Sequence, residues 1–345
     1  LSTSEKAAVV ILNWNGVQHL RSFLPSVVKH TPSDLADVVV IDNHSSDDSV
    51  AFVSKQFPSV VLVHNPQNLG FAGGYNEGLK SIAHQKLILL NSDVEVQAGW
   101  LPPLLQSLSK PHTGAAQPVV RSFSDPEQFE YAGAAGGFID KYGYPFCRGR
   151  IFHHIEPDRH QYVQADEIFW ASGACMAVNR EAFEKAGGFD EDFFAHMEEI
   201  DLCWRMKNLG YTVQFCPDSV ILHLGGGTLS AIHPKKTYLN FRNNLMMLAK
   251  NLPLRHLLKV LPFRLLMDGV AGFYFLLQGK PAHCFSVVKA HFSFYAAAGR
   301  LSAKRKMFRG QRREHLTGVY QGSLVMESFL KGLKSFSQLD SKKFS

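Results

Sequence analysis

Short, continuous apolar runs alternate with amphipathic stretches along the first part of the chain. Aliphatic and β-branched side chains cluster at Ala8–Leu12, Val38–Ile41, Val60–Val63 and Leu87–Leu90. Between them, Val17–Lys29, Asp47–Phe57 and Gly74–Ala83 place apolar residues at helical spacing. Apolar runs without polar alternation are buried on both faces, as in a parallel sheet covered by helices. The pattern predicts an α/β fold. The runs stop on polar clusters: Asn13-Trp14-Asn15-Gly16, the stretch from Asp42 to Asp47, and Asn91-Ser92-Asp93. In open α/β sheets ligands bind beyond the carboxyl ends of the strands, so these clusters mark the candidate site.

From about residue 111 to 164 glycine, proline and aromatic residues break any period, which predicts loops and short antiparallel strands. Helices are expected at Arg180–Ala186 and His196–Leu209, and two strands at Thr212–Cys216 and Val220–Leu222. After Gly227 the chain turns to Leu- and Phe-rich helical stretches, Phe241–Leu252 and Leu254–Leu277. That shift divides a domain of residues 1–230 from a helical extension of residues 231–345. Leu254–Leu277 is long enough to cross a bilayer, but Arg255, His256, Lys259, Arg264 and Asp268 interrupt it, with Pro262 in the middle. Such charges cost roughly 2.5–3.5 kcal/mol each at the bilayer centre. A helix lying in the membrane interface, or one packed on the α/β domain, fits the pattern better than a spanning helix.

Composition adds limits. Hydrophobic residues make up 46% of the 345 residues and charged residues 19%, a globular balance. The five cysteines are odd in number and form no C-x-x-C pair, so reduced thiols are expected rather than a disulfide framework or a structural zinc. The first apolar run is too short, and lacks the basic flank, for a signal peptide, and a cytoplasmic protein is expected. The net charge of +6 is uneven: Lys304, Arg305, Lys306, Arg309, Arg312 and Arg313 crowd one stretch, which suits anionic lipid or a solvated face.

The polar clusters suggest specific chemistry. Asp93 and Asp42 stand at two strand ends that the fold brings near one another; each also suits a turn or cap. A hard divalent cation takes one or two carboxylates together with diphosphate oxygens, which gives Asp93 a task. A carboxylate at a strand end can also accept the N3–H of a uracil or thymine ring, which gives Asp42 one. The glycines of "NLGFAGGYNEGL" match neither the dinucleotide fingerprint nor the P-loop, and leave only a helix start that admits a close backbone approach. In "GGFDEDFFAHMEEIDLCWR", Glu198, Glu199 and Asp201 crowd one helical turn, and Arg205 can pair with Asp201. Acids enriched at a helix start account for the remaining two in one way, a general base facing a hydroxyl in another. His223, before three glycines, could face an Asp-bound metal, and the fork of Arg242 could bind a diphosphate.

Taken in order, "VVILNWNG", "VVVIDNHSSDDS", "NLGFAGGYNEGL", "LILLNSDVEV", "GGFDEDFFAHMEEIDLCWR", "ILHLGGGT" and "YLNFRNN" resemble the family 2 glycosyltransferases, in particular bacterial rhamnosyltransferases of polysaccharide assembly. The resemblance implies a GT-A fold with a helical C-terminal extension. It assigns donor nucleotide binding to Asn13, Asn15, Asp42, Asn68, Gly70, Asn76, Asn91, Asp93, Arg242 and Asn243, and acceptor binding to Trp170, Asp190 and Asp201. The family's Asp-x-Asp falls on Asn91-Ser92-Asp93, so Asp93 and His223 are the implied ligands of a Mg2+ or Mn2+ cofactor. Its Glu-Asp pair falls on Glu198-Glu199, which makes Glu199 the base with Glu198 beside it. The implied reaction is an inverting transfer from a UDP- or dTDP-sugar, dTDP-rhamnose among them, to a saccharide or lipid-linked acceptor. The expected place is the inner face of the cytoplasmic membrane, with no nucleic acid partner. A sugar nucleotidyltransferase and a non-catalytic carbohydrate-binding protein are the alternatives.

Overall fold

The computed structural model describes residues 6–225 and 233–345. The four apolar runs form strands β1 (Ala7–Asn13), β2 (Ala36–Asp42), β3 (Val61–His64) and β4 (Lys86–Asn91). They lie parallel in the order β3-β2-β1-β4. Val9, Val10, Leu87, Ile88 and Leu90 are wholly buried, as a sheet covered on both faces requires. The parallel register brings the strand ends to one edge: Asn13 lies opposite Asp42, Leu12 opposite Asn91, and Asp42 opposite His64.

Helices α1 (Val17–His30), α2 (Ser49–Gln56) and α3 (Gly70–Gly78) connect these strands. The third begins four residues before the expected Gly74 and tightens into a 3-10 turn at Leu79–Ser81. Gly74 and Gly78 serve packing. A Cβ on Gly78 would sit 2.5 Å from Ile41 Cδ1, and one on Gly74 would sit 2.9 Å from Leu12 Cδ1, so only glycine lets α3 lie this close to the sheet.

The sheet then grows antiparallel and mixed. Strands β5 (Val94–Val96) and β6 (Thr113–Ser122) flank helix α4 (Leu101–Leu108). Short strands follow: β7 (Gly137–Asp140), β8 (Pro145–Cys147), β9 (Arg150–Ile151), β10 (His154–Ile155) and β11 (Glu167–Ile168). Next come β12 (Cys175–Asn179), α5 (Arg180–Lys185), α6 (Glu198–Asn208) and β13 (Thr212–His223). The main sheet continues as β4-β12-β6-β13-β11, with β5 paired to the end of β13. The expectation of loops and short strands from about residue 111 to 164 holds for β7 to β10 but misses β6, a ten-residue strand in the middle of the sheet. Gly114, Gln117 and Pro118 hide it from the pattern. The two strands expected around Pro217 are one, β13, whose pairing slips between Cys216 and Val220.

The expected domain division at residue 230 lies outside the described residues. Beyond it, helices α7 (Pro234–Asn251), α8 (Leu254–Leu277), α9 (Pro281–Ala296) and α10 (Ala298–Met307) precede a short strand, β14 (Val319–Tyr320). This strand pairs with β7 and completes a second sheet in the order β10-β9-β8-β7-β14. Phe336 and Phe344 pack with Phe138 at ring distances of 5.1 and 5.5 Å. The chain beyond residue 233 thus packs on the preceding part. Its last segment is built into the core of that part.

An ion network locks α7 to α6. Lys250 is buried between Asp190 and Asp201; its ammonium is 2.9 Å from Asp201, which also meets Arg205 at 2.8 Å and the Asn251 amide at 2.8 Å. Burial would raise the Asp190 carboxyl, but Lys250 and Lys304 outweigh it and hold it down at about 2. The Lys250→Ala variant is expected to lose about 3–5 kcal/mol of unfolding free energy in urea titrations, because two buried carboxylates lose their cation. A depressed pKa adds stability above the ordinary carboxylate range near 4 and loses it as pH falls toward about 2. The variant should accordingly show a flatter acid limb. A wild-type-like midpoint would remove Lys250 from the core of this network.

Candidate functional site

At the carboxyl edge, the loops after β1, β2 and β3 are tied together by their own side chains. The Asn15 Oδ1 accepts the Ser46 N–H at 2.7 Å, and the Asn13 amide reaches Ser45 Oγ at 3.3 Å. Asn43 gives its amide to Asn68 Oδ1 at 3.0 Å and accepts from Asn65 at 2.9 Å. Asn68 also accepts the N–H of Gly70, a residue at φ +71°. Asp42 is buried; its carboxylate accepts the Ser45 N–H at 3.2 Å and lies 3.8 Å from His64 Nδ1. The turn reading of Asp42 is thus realised, and its remaining lone pairs stay at the strand edge. Asn13, Asn15, Asn68 and Gly70 shape this edge.

Asp93 and His223 are brought together by strand pairing. Strand β5 runs antiparallel to the end of β13, with Val94 opposite His223. Asp93 Oδ1 lies 3.2 Å from His223 Nε2, and Nδ1 on the other side of the ring lies 3.2 Å from a Glu130 carboxylate oxygen. All three residues are buried. Burial alone would push the imidazole down, but the two carboxylates outweigh it and raise it to about 10. Burial would likewise raise Asp93, and its contact with His223 lowers it instead. Glu130 follows the irregular stretch "DPEQF" and has no sequence signature; only the fold brings it to His223.

The residues present fit a divalent cation. Two adjacent ligands, each about 2.1 Å from an octahedral ion, are about 3 Å apart, close to the Asp93–His223 spacing. A carboxylate oxygen with an imidazole nitrogen is a donor pair that suits Mn2+ better than the harder, oxygen-preferring Mg2+, with the ion taking the place of the Nε2 proton. Glu130 on Nδ1 is the outer carboxylate that commonly orients a ligating histidine. Among the described residues no three His, Cys, Asp or Glu side chains form a ready cage, so the other ligands would be oxygens of a bound molecule or water.

Glu198 and Glu199 open α6, directly after a strained stretch. Phe194, His196 and Met197 have φ of 63°, 69° and 74°, a region that non-glycine residues rarely occupy. Two residues of α7 hold this stretch. The Asn243 amide is within 2.9 Å of the carbonyls of Phe193 and Ala195 and 2.7 Å of that of His196. Arg242 donates to the carbonyls of Asp192 at 2.8 Å and Phe193 at 3.1 Å. Arg242 and Asn243, expected at the nucleotide, here give these donors to main-chain carbonyls. Asn76, expected at the nucleotide as well, brackets Phe189 with two hydrogen bonds of 2.9 Å.

The Oε2 atoms of Glu198 and Glu199 are sealed from water and have no hydrogen-bond partner. Burial pushes both carboxyls up, with Glu199 reaching about 7 and Glu198 raised further by its neighbour. The carboxyl carbon of Glu199 lies 4.0 Å from the place a Cβ on Gly173 would take, and the next residue, Ala174, accepts the Asn91 N–H at 3.0 Å. The pair therefore stands beside the strand end that carries Asn91 and Asp93. The three acceptor-side candidates do not join it. Trp170 is a core residue whose indole N–H donates to the Phe138 carbonyl at 2.8 Å, while Asp190 and Asp201 are consumed by the Lys250 network.

The sequence profile of the family described as Glycosyl transferase family 2 matches residues 8–187. The N-acetylglucosaminyl-diphospho-decaprenol L-rhamnosyltransferase of Mycobacterium tuberculosis is 28% identical over 67% of this chain and 82% of its own length. The low-salt glycan biosynthesis hexosyltransferase Agl10 of Haloferax volcanii is 22% identical over 69% and 74%. Among solved structures, S. aureus TarS 1-349 in complex with UDP-GlcNAc superposes with a TM-score of 0.55 at 14% identity, covering 90% of this chain and 93% of that one. GalNAc-T7 with UDP, GalNAc and Mn2+ gives 0.56 at 19% identity, and the match spans about half, 48%, of that longer chain. At such identities the structural likeness establishes the fold.

Proposed function

The chain belongs to glycosyl transferase family 2, a glycosyltransferase with the GT-A fold, and from that premise we propose that it moves a sugar, with inversion, from a UDP- or dTDP-linked donor to a saccharide or lipid-linked acceptor in cell-surface polysaccharide assembly. The observation that carries the reading is the pair of buried, unpartnered carboxyl oxygens of Glu198 and Glu199 beside a strand edge bearing Asp42, Asp93 and His223. A carbohydrate-binding protein needs carboxylates to accept sugar hydroxyls but not one raised by burial to about 7, as Glu199 is. Rhamnose is the first sugar to test, given the mycobacterial relative.

In this reading Asp42 accepts the N3–H of the pyrimidine. Asp93 and His223 hold the divalent cation, which when bound supplies positive charge against the departing diphosphate. Glu199 takes the proton of an acceptor hydroxyl as its oxygen bonds to the anomeric carbon; the bond from that carbon to the phosphate oxygen breaks, and the nucleoside diphosphate leaves. Glu198, kept neutral by burial and by Glu199, donates a hydrogen bond to the acceptor. Arg242 and Asn243 act at one remove, by fixing the strained turn that aims the two acids.

Incubation with UDP- and dTDP-sugars and Mn2+ tests the assignment: release of nucleoside diphosphate is expected. Formation of a nucleotide sugar from sugar phosphate and nucleoside triphosphate would replace it with the nucleotidyltransferase reading. Glu130→Ala should weaken Mn2+-dependent UDP binding about 10- to 100-fold in calorimetry, as loss of an outer carboxylate does elsewhere. Equal affinities would strip Glu130 of this role.

A further inference from the structure

The α8–α9 hairpin has its polarity turned inside out. Its only acid, Asp268, is buried and meets Arg264 at 3.2 Å and His291 Nε2 at 3.2 Å. Two of the charges that argue against a membrane contact in the sequence, Arg264 and Asp268, are thus hidden inside the protein, while Arg255 and Lys259 stay exposed near the start of α8. The outer face carries Leu258, Leu266, Phe273, Leu277, Phe285 and Phe292, each more than 60% exposed. A monomer in water rarely leaves so many large apolar side chains together on one face.

The charge around this face has one sign. Every exposed side chain from 254 to 300 that is charged at neutral pH is a lysine or arginine, and Lys259, Lys280 and Lys289 have no acidic partner among the described residues. Part of the basic stretch from Lys304 to Arg313 is engaged within the protein, while Lys306, Arg309 and Arg313 stay exposed. Lys304 is bound to Asp190 and Asp192, Arg305 donates to the Ala249 carbonyl at 2.6 Å, and Arg312 donates to that of Lys250 at 3.0 Å.

The helix is long and apolar enough to cross a bilayer, but its middle is fixed to the catalytic body. Phe263 stacks on Tyr142 at 4.1 Å, and the Arg264 guanidinium lies 3.7 Å from the Tyr144 ring centre. One side is therefore docked on protein while the other is bare, which is the condition of a helix lying in the interface plane.

We propose that the outer face of α8 and α9 seats in the headgroup–acyl boundary of an anionic bilayer. The proposal rests on the sugar-transfer reading only in naming a bilayer-held acceptor as that site's substrate. The hairpin is one element away from the acids. Tyr238 of α7 bonds Ser293 of α9 at 3.0 Å, and the same helix, through Arg242 and Asn243, holds the turn before Glu198.

Flotation of the full chain with phosphatidylglycerol-containing vesicles at low salt tests this. The protein should float with them and lose about fivefold in partition for each basic residue removed from Lys259, Lys280 and Lys289. The double variant Phe273→Glu, Phe292→Glu, altered at exposed sites, should lose at least about tenfold while keeping its circular dichroism melt and its Mn2+-dependent UDP binding. Protein left at the bottom of the gradient, or a double variant that floats like wild type, overturns the proposal. So does a wild-type dimer in ultracentrifugation that the double variant dissolves, because the face then belongs to a second copy. Nucleotide binding scored in the same samples separates this outcome from the enzymatic one: wild-type protein that binds UDP but stays at the bottom of the gradient refutes the membrane seat alone.

Discussion

The Glu199→Gln enzyme should transfer sugar roughly 100- to 10000-fold more slowly than wild type, with nucleotide affinity unchanged. Gln keeps the shape of the side chain and removes its basicity. The wild-type carboxyl sits in a site where burial raises it to about 7, so that it is poised to take a proton near neutrality. Only its ionised form is a base, so the wild-type rate should climb with pH through about 7 and level off above it. Glu199→Gln should lack that limb. Glu198 points about 100° away around the helix and cannot share the task. Its Gln variant retains a hydrogen-bond donor and should change acceptor affinity more than turnover. Single-turnover transfer over a pH series measures both. A near-wild-type rate for Glu199→Gln would move the base to Glu198, because Asp201 is bound up with Lys250 and Arg205.

Asp93→Ala should lower transfer roughly 100- to 1000-fold and abolish the dependence of UDP binding on Mn2+. Asp93 is the one carboxylate of the Asn91-Ser92-Asp93 turn, and Asn91 offers only a neutral oxygen in place of a second. The fold should survive, because the main-chain carbonyl that receives the Leu224 N–H at 3.1 Å is unaffected. The substitution also removes one of the two carboxylates that hold the His223 proton, so the imidazole should titrate below its value of about 10. Calorimetry of UDP with and without Mn2+ reads the first effect, and histidine resonances over pH read the second. A variant that still needs Mn2+ for UDP would place the cation elsewhere.

The strands and helices of the first hundred residues were legible because each is specified by its own local period. Their ends were legible too, since apolar runs buried on both faces must stop where polar residues reach the sheet edge. Strand β6 was not: a buried central strand tolerates Gly114, Gln117 and Pro118 because its neighbours supply the packing that propensity withholds. Within the site, residue type told the chemistry and not the partner. Arg242 and Asn243 were rightly read as donors on one helix, yet their acceptors are carbonyls of a strained turn rather than phosphate oxygens. Trp170, Asp190 and Asp201 have the character of sugar-binding side chains, but the core claims them. Glu130 was invisible because its contact with His223 joins distant parts of the chain that only the pairing of β6 with β13, and of the Phe129 region with β6, brings together.

The stereochemistry of the first product formed is the most direct test of sugar transfer by a single displacement at Glu199. Transfer, or slow donor hydrolysis, followed by proton NMR from an α-linked UDP- or dTDP-sugar with Mn2+ should show the β anomer first, and Glu199→Gln should suppress its appearance. An initial product of retained configuration, or an inverted product formed at equal rates by wild type and Glu199→Gln, would contradict the mechanism.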